Sequence, residues 1–254
     1  MIIDCPIFDA HLHIIDPRFP LVANQGYLPA PFTVADYQSR LAGYDLQGGA
    51  VVSGSFQAFD QGYLRDALSQ LGPRFVGVTQ LPHSVSDEEI LSLDAAGVRA
   101  LRFNLKRGGS EDIAHLSSLA SRVHELAGWH VELYVDAAEL EGLLDVLTSL
   151  PAVSIDHLGL SQAGLPVLLK LAEQGVRVKA TGFARVEFPV APALKALYLA
   201  NPAALMFGTD LPGTRAPRPF EDQDCMLILE ALGEDGARRV LCDNALAFYR
   251  LRDN

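Results

Sequence analysis

Three short segments carry the residue types best suited to chemistry: Asp9-Ala-His11-Leu-His13, Ile155-Asp-His157-Leu-Gly159 and Gly208-Thr-Asp210. Each closes a short apolar run that reads as a strand. Residues two apart on a strand point to the same face, so His11 and His13 project together. A third imidazole, His157, and a carboxylate, Asp210, delivered by other strands, would complete a cluster able to activate water and polarise a carbonyl, with or without a metal. His-x-His alone carries little information, because two structural histidines on a strand look the same. Three such strand ends at the start, middle and end of one chain are far more specific.

Bringing them together requires strands that end on one rim. Apolar runs fall at 7–13, 49–55, 75–81, 98–105, 130–135, 153–158, 176–181 and 205–209. Val, Ile, Leu and Phe dominate them with little strict alternation, which suits strands buried on both faces of a parallel sheet. Helix signals lie between. Ser86-Asp-Glu-Glu89 has the form of a capping box, opening a helix that stops near Gly97. Asp136-Ala-Ala-Glu139 is a weaker version ahead of Leu140, Leu143, Leu144 and Leu147 at helical spacing, and 113–127 is an amphipathic stretch ending at Gly128. Eight strand–helix units predict an α/β fold, a single-domain (β/α)8 TIM-like barrel over 1–254. An open doubly wound sheet is the alternative, but no Gly-x-Gly-x-x-Gly follows a strand. Segments 18–31 and 212–219, the second holding Arg215 and Arg218, would rise over the carboxyl rim as parts of a lid or as plain surface loops.

Composition fits that frame. A chain of 254 residues, 49% hydrophobic, matches the roughly 250 residues of a typical barrel. A net charge of −11 argues against nucleic acid and anionic membranes as partners, while leaving a small anionic substrate open to local arginines. Cys5, Cys225 and Cys242 show no paired spacing, so neither a disulfide framework nor a cysteine zinc site is indicated. With no leading basic and apolar segment and no run of about 18 apolar residues, a soluble cytoplasmic protein is expected, as a monomer or small homo-oligomer.

By residue type, Asp210 is the candidate general base, and His11, His13 and His157 the groups that would polarise a carbonyl. Arg102 and Arg185 offer the bidentate geometry that clamps a substrate carboxylate. Arg102 lies inside an apolar strand and must have a partner, from substrate or protein. Asn104, Tyr134, Ser53 and Gln57 sit near strand ends as neutral hydrogen-bonding groups, and Lys179 is a buried-strand lysine expected to pair with Asp210 or substrate. Lys106 and Arg107 read as a solvated turn, His115 and His124 as helix-surface residues, and His130 as belonging to the opposite rim. His83 is a lone candidate after the third strand.

The same residues resemble the amidohydrolase superfamily, and within it the branch of 2-pyrone-4,6-dicarboxylate lactonase and related sugar-lactone hydrolases. The resemblance rests on Phe8-Asp-Ala-His-Leu-His13, Gly97-Val-Arg-Ala-Leu-Arg-Phe-Asn104, Ile155-Asp-His-Leu-Gly159, Val178-Lys-Ala-Thr-Gly182 with Arg185, Gly208-Thr-Asp-Leu-Pro212 and Asp243-Asn-Ala-Leu-Ala-Phe-Tyr249. It covers nearly the whole chain in order. It implies a hydrolase that opens a carboxylate-bearing lactone, with Asp210 activating water. Metal-binding members usually place a His on strand five, where this chain has Val131-Glu-Leu-Tyr-Val135. The resemblance therefore implies a site that requires no cofactor, with His11, His13 and Asp210 the residues that would hold one weakly bound divalent ion such as zinc. A metal-dependent decarboxylase of an aromatic or unsaturated acid and a sugar-acid lactone isomerase are the competing activities. A non-enzymatic binding protein is the remaining reading.

Overall fold

The computed structural model describes residues 4–251. Eight strands run parallel in chain order: β1 (Ile7–Leu12), β2 (Leu46–Val52), β3 (Phe75–Thr79), β4 (Val98–Asn104), β5 (His130–Tyr134), β6 (Val153–Ile155), β7 (Arg177–Thr181) and β8 (Leu205–Gly208). Helices α1 (Val34–Leu41), α2 (Gly62–Leu71), α3 (Asp87–Ala95), α4 (Leu116–Ala127), α5 (Leu144–Ser149), α6 (Leu165–Glu173) and α7 (Val190–Ala200) alternate with them. The chain ends in α8 (Asp222–Arg238) and α9 (Asn244–Phe248), joined by a π turn. This is the (β/α)8 barrel that the sequence pattern predicts. No helix among the described residues is long and apolar enough to cross a membrane.

Immediately past β8, the chain closes the barrel against β1. Asp210 N–H donates to the His11 carbonyl at 2.7 Å, and His13 N–H to that of Leu211 at 2.8 Å. The buried Asp9 carboxylate staples this seam, accepting from Thr209 N–H (2.8 Å), Thr209 Oγ1 (2.7 Å) and the Tyr37 hydroxyl (3.1 Å). Gly208 is required here, since a Cβ at that position would lie 2.6 Å from the His11 Cβ.

One apolar layer fills the space between sheet and helices, including Leu12, Leu101, Leu133 and Val178 from strands with Leu64, Ile90 and Leu168 from helices. A second fills the lower barrel interior with Phe8, Ala10, Val52, Val76, Val78 and Met206, closed by Tyr249 stacked on Phe8 at 5.6 Å. His130 lies at this amino-terminal rim against Phe248. A register irregularity in β1 between Asp9 and Leu12 lets Ala10 and His11 both face inward. Strict alternation would have sent either Phe8 or His11 outward.

Two local expectations are revised. Ser86 caps α3 by accepting Glu89 N–H at 3.2 Å, but the Glu89 carboxylate pairs with Arg65 at 3.1 Å instead of returning to the cap. The stretch after Asp136 forms two 3-10 turns before the short α5. Gly142 lies inside it, and a glycine costs an α-helix about 1 kcal/mol relative to alanine.

Candidate active site

The carboxyl rim gathers the four chemistry-bearing residues. His11 and His13 come from β1 and its end, His157 from the turn after β6 and Asp210 from the turn after β8. The His11 ring centroid lies 5.1 Å from that of His13 and 4.9 Å from that of His157. Asp210 Oδ1 stands 3.7 Å from His13 Nε2 and 3.9 Å from His11 Nε2. His157 and Asp210 both take left-handed backbone, at φ 51° and 58°. For a non-glycine residue that costs about 1–2 kcal/mol, so the surrounding packing must impose it. Gly182 is part of that packing, because a Cβ there would sit 2.7 Å from His157 Nδ1.

Beneath the cluster lies a sealed set of charges. Arg102 binds Asp156 at 2.6 Å, Glu132 at 3.3 Å and the Ser53 carbonyl at 2.8 Å. Lys179 pairs closely with Glu132 and stands 4.0 Å from Asp156. Two cations thus balance two carboxylates, all essentially excluded from solvent. His11 Nδ1 rests on this floor, 3.4 Å from Asp156 and 3.7 Å from Glu132. Burial lowers the His11 pKa well below the usual imidazole value, with Asp156 opposing and Lys179 reinforcing. Burial also lowers His157 to about 4, despite Asp210 and Asp156 nearby. For Asp210 burial acts upward, but the Arg185 guanidinium, 2.6 Å away, outweighs it and holds the carboxyl well below the usual range. Near neutral pH the site is therefore two neutral imidazoles, His11 and His157, beside an ionised Asp210.

Hydrogen-bond roles follow. His13 Nδ1 lies 2.7 Å from the Val52 carbonyl, which can only accept, so the neutral ring carries its proton there and turns a bare Nε2 inward. His11 Nδ1 faces the Lys179 ammonium, a donor, at 3.4 Å as well as the Asp156 and Glu132 carboxylates, so its surroundings do not single out one tautomer. His11 Nε2 and Asp210 Oδ1 are buried with no hydrogen-bond partner. His13 Nε2 and Asp210 Oδ1 thus converge as acceptors with His11 Nε2, all within 4.8 Å of one another. Such a constellation suits a water that donates both its protons, and its two nitrogens and one oxygen also fit a single divalent cation.

Above the cluster a cavity of about 670 Å³ opens to solvent, lined in part by Lys106, Arg107, Tyr134, Arg185 and Arg215. A narrow throat connects it to His13, Arg102, Asn104 and His157. Of the residues expected to touch substrate, Tyr134, Arg185, Asn104 and Arg102 reach this space. Arg102 does so as part of the floor, its charge already balanced by protein carboxylates. Three others do not reach it. Lys179 is fully buried against Glu132 and pairs with neither Asp210 nor the cavity. The Ser53 hydroxyl is taken by Tyr63 at 2.5 Å. Gln57 spans the Ile14 carbonyl (2.8 Å) and Gly54 N–H (2.7 Å). Each is consumed by local structure. Lys106 and Arg107 do form a turn, with Lys106 exposed as read from sequence, but both line the cavity, and the loop at 18–31 folds onto Arg107. Asn24 Nδ2 donates to the Arg107 carbonyl at 3.1 Å, and Arg215 returns to Asn24 Oδ1 at 3.1 Å. Asp156 and Glu132 were also missed as floor residues. Glu132 left a signal, a lone carboxylate in the middle of Val131-Glu-Leu-Tyr-Val135.

A (β/α)8 barrel with His-x-His on strand one, a His after strand six and an Asp after strand eight is the architecture of an amidohydrolase. The amidohydrolase family model matches residues 8–251, and the chain belongs to that family. A 2-pyrone-4,6-dicarboxylate hydrolase of Comamonas testosteroni is 32% identical over 156 residues, 59% of this chain. That match spans about half, 51%, of the relative's length. A Pseudomonas putida protein assigned as a 2-pyrone-4,6-dicarboxylic acid hydrolase superposes with a TM-score of 0.82 at 26% identity, covering 99% of this chain and 100% of its own. An Agrobacterium tumefaciens structure at 22% identity shares the fold, with a TM-score of 0.85 over 97% of this chain and 96% of its own.

Proposed function

We propose that this chain is a hydrolase that opens a lactone bearing carboxylate groups, of the 2-pyrone-4,6-dicarboxylate type. The observation that carries the reading is the pairing of a water-sized cluster of polar atoms, at Asp210, His11 and His13, with an arginine- and lysine-lined cavity beside it. The names of the Comamonas and Pseudomonas relatives support the same substrate class.

The chemistry runs through this chain's own residues. Substrate carboxylates settle among Lys106, Arg107, Arg185 and Arg215, bringing the lactone carbonyl to the throat. Arg185 now has a second anion to serve, and its bond to Asp210 Oδ2 weakens. That raises the proton affinity of Asp210 at the moment a base is needed. Water donates to Asp210 Oδ1 and to a bare imidazole Nε2, gives up its proton to Asp210 and attacks the carbonyl carbon. Donors from the His157 and Tyr134 side of the throat meet the developing oxyanion. His13, with Nδ1 on the Val52 carbonyl, presents Nε2 to that water beside Asp210. Collapse breaks the ring C–O bond, and the leaving oxygen takes the proton back from Asp210. Products are a new carboxylate and a hydroxyl, an enol where the ring is a pyrone. If a divalent ion is bound, His11, His13 and Asp210 would hold it, and it would add Lewis-acid polarisation. No step above depends on it.

The test is hydrolysis by chelator-treated protein of pyrone dicarboxylates, muconolactones and aldonolactones, followed as loss of ring absorbance or release of acid. Turnover of the anionic lactones that survives chelation is expected. Arg107→Met, which leaves the Asp210 environment intact, should raise KM for those lactones about tenfold or more while sparing neutral ones. Turnover that needs one equivalent of metal would favour the metal-dependent decarboxylase or a metal-dependent hydrolase. No lactone turned over would overturn the reading.

A further inference from the structure

Away from this cavity, two neighbouring rim loops bring together a second set of ligand-type side chains. His83 follows β3, while Glu111 and His115 lie between β4 and α4. The two imidazoles stack, with centroids 4.3 Å apart and planes at 15°. The Glu111 carboxylate lies against both residues, at the edge of the stacked pair. Its Oε1 is 3.2 Å from His115 Nδ1, and its Oε2 accepts His83 N–H at 2.5 Å. Asp112 N–H also donates to Oε1, at 2.8 Å. Two backbone amides from different loops therefore pre-place the carboxylate beside both rings, with His83 exposed and His115 half-exposed.

One potential ligand atom from each residue falls within 4.8 Å of the other two. In a tetrahedral zinc site, bonds of about 2.0–2.1 Å put ligand atoms about 3.3 Å apart. The difference, at most about 1.5 Å, is within the reach of side-chain torsions on surface residues. Two imidazoles and a carboxylate are the donor set of zinc and the borderline divalent ions near it. Calcium and magnesium prefer oxygen ligands alone. The stacked pair has no other task in the fold: His83 is exposed and His115 retains 40% of its side-chain exposure.

We propose that His83, Glu111 and His115 form a surface site for a zinc-like divalent cation, which ties the loop after β3 to the loop after β4. Solvent completes the coordination, so the ion exchanges freely and does no chemistry of its own. Its consequence is mechanical. The clamped loop also carries Lys106 and Arg107, and its Ser110 hydroxyl accepts Asn104 N–H at 2.8 Å. An ion at the clasp would hold the cationic side of the cavity in place. The site is separate from the His11, His13 and Asp210 cluster and does not depend on the proposed hydrolysis.

Zinc titration of the chelator-treated full chain by calorimetry tests it. The wild-type protein should bind one equivalent that survives His13→Ala and disappears in the His83→Ala/His115→Ala double variant. Glu111→Gln should weaken that same equivalent about tenfold or more, and circular dichroism should show all variants folded. Saturating zinc should also raise the thermal midpoint of wild type but not of the double variant. Zinc binding unchanged in the double variant, or abolished by His13→Ala alone, would overturn the proposal, as would no binding at all.

Discussion

The inner wall of the barrel is made of two materials. The side built by β2 and β3 is apolar, with Ala50, Val52, Val76 and Val78 facing inward. The side built by β4 to β7 carries Arg102, Glu132, Asp156 and Lys179, equally buried. Both are dry, but they respond to change differently. A missing methyl in the apolar wall leaves a small void. A missing member of the charged wall leaves an unbalanced ion where water cannot reach it. The charged side touches the chemistry through side chains, by the contact of Asp156 and Glu132 with His11 Nδ1, whereas the apolar side reaches it only through a backbone carbonyl, that of Val52 against His13 Nδ1. The side chains of the apolar wall give volume, and those of the charged wall orient His11.

Breaking the charged wall should have the largest effect. Lys179→Met strands Glu132 beside Asp156, and loss of one partner of a buried pair costs about 3–5 kcal/mol. Chemical denaturation should show that loss. A Lys179→Met/Glu132→Leu double variant should recover much of the stability, because it removes both charges at once. Recovery of stability without full recovery of kcat would separate the floor's orienting role from its structural one. Stability of the double variant no better than the single would show that the two residues do not act as a pair.

Acid should come next. His157 has a folded pKa lowered to about 4, below the ordinary value of 6.5, so folding favours the neutral ring. Its contribution is whole above pH 6.5 and is lost as the pH falls from there toward 4. A separation of that size is worth about 3 kcal/mol. Wild type should lose stability over this window, and His157→Gln should flatten the slope. Identical slopes would place the acid sensitivity elsewhere. The smallest effect is expected from Val78→Ala on the apolar wall, about 1–2 kcal/mol of stability with kcat/KM unchanged. A large fall in kcat/KM there would erase the division of labour between the walls.

The same contrast explains what the sequence could reveal. The eight strands were legible because both their faces are apolar over most of their length, and His11, His13, His157 and Asp210 because each closes such a run. The path of two of them was not legible. His157 was read as lying on a strand over 153–158, but β6 stops at Ile155, and a left-handed turn aims its ring into the site. The inward position of His11 depends on an irregularity in β1 that a period of two cannot show. Ser53 and Gln57 were placed by strand-end position and Lys179 by its place inside a strand, and neither distinguishes a cavity-facing group from one consumed by a neighbour. Arg107 reaches the cavity because the distant 18–31 loop covers its turn, a long-range packing event with no local signature.

The most direct test of the chemistry is steady-state hydrolysis of 2-pyrone-4,6-dicarboxylate by Asp210→Asn, which keeps the shape of the side chain and removes the base. Loss of kcat on the order of 10²–10⁴, with KM little changed and the fold intact, is the expected result. Retention of wild-type kcat would contradict the assignment of Asp210 as the group that takes the proton from water.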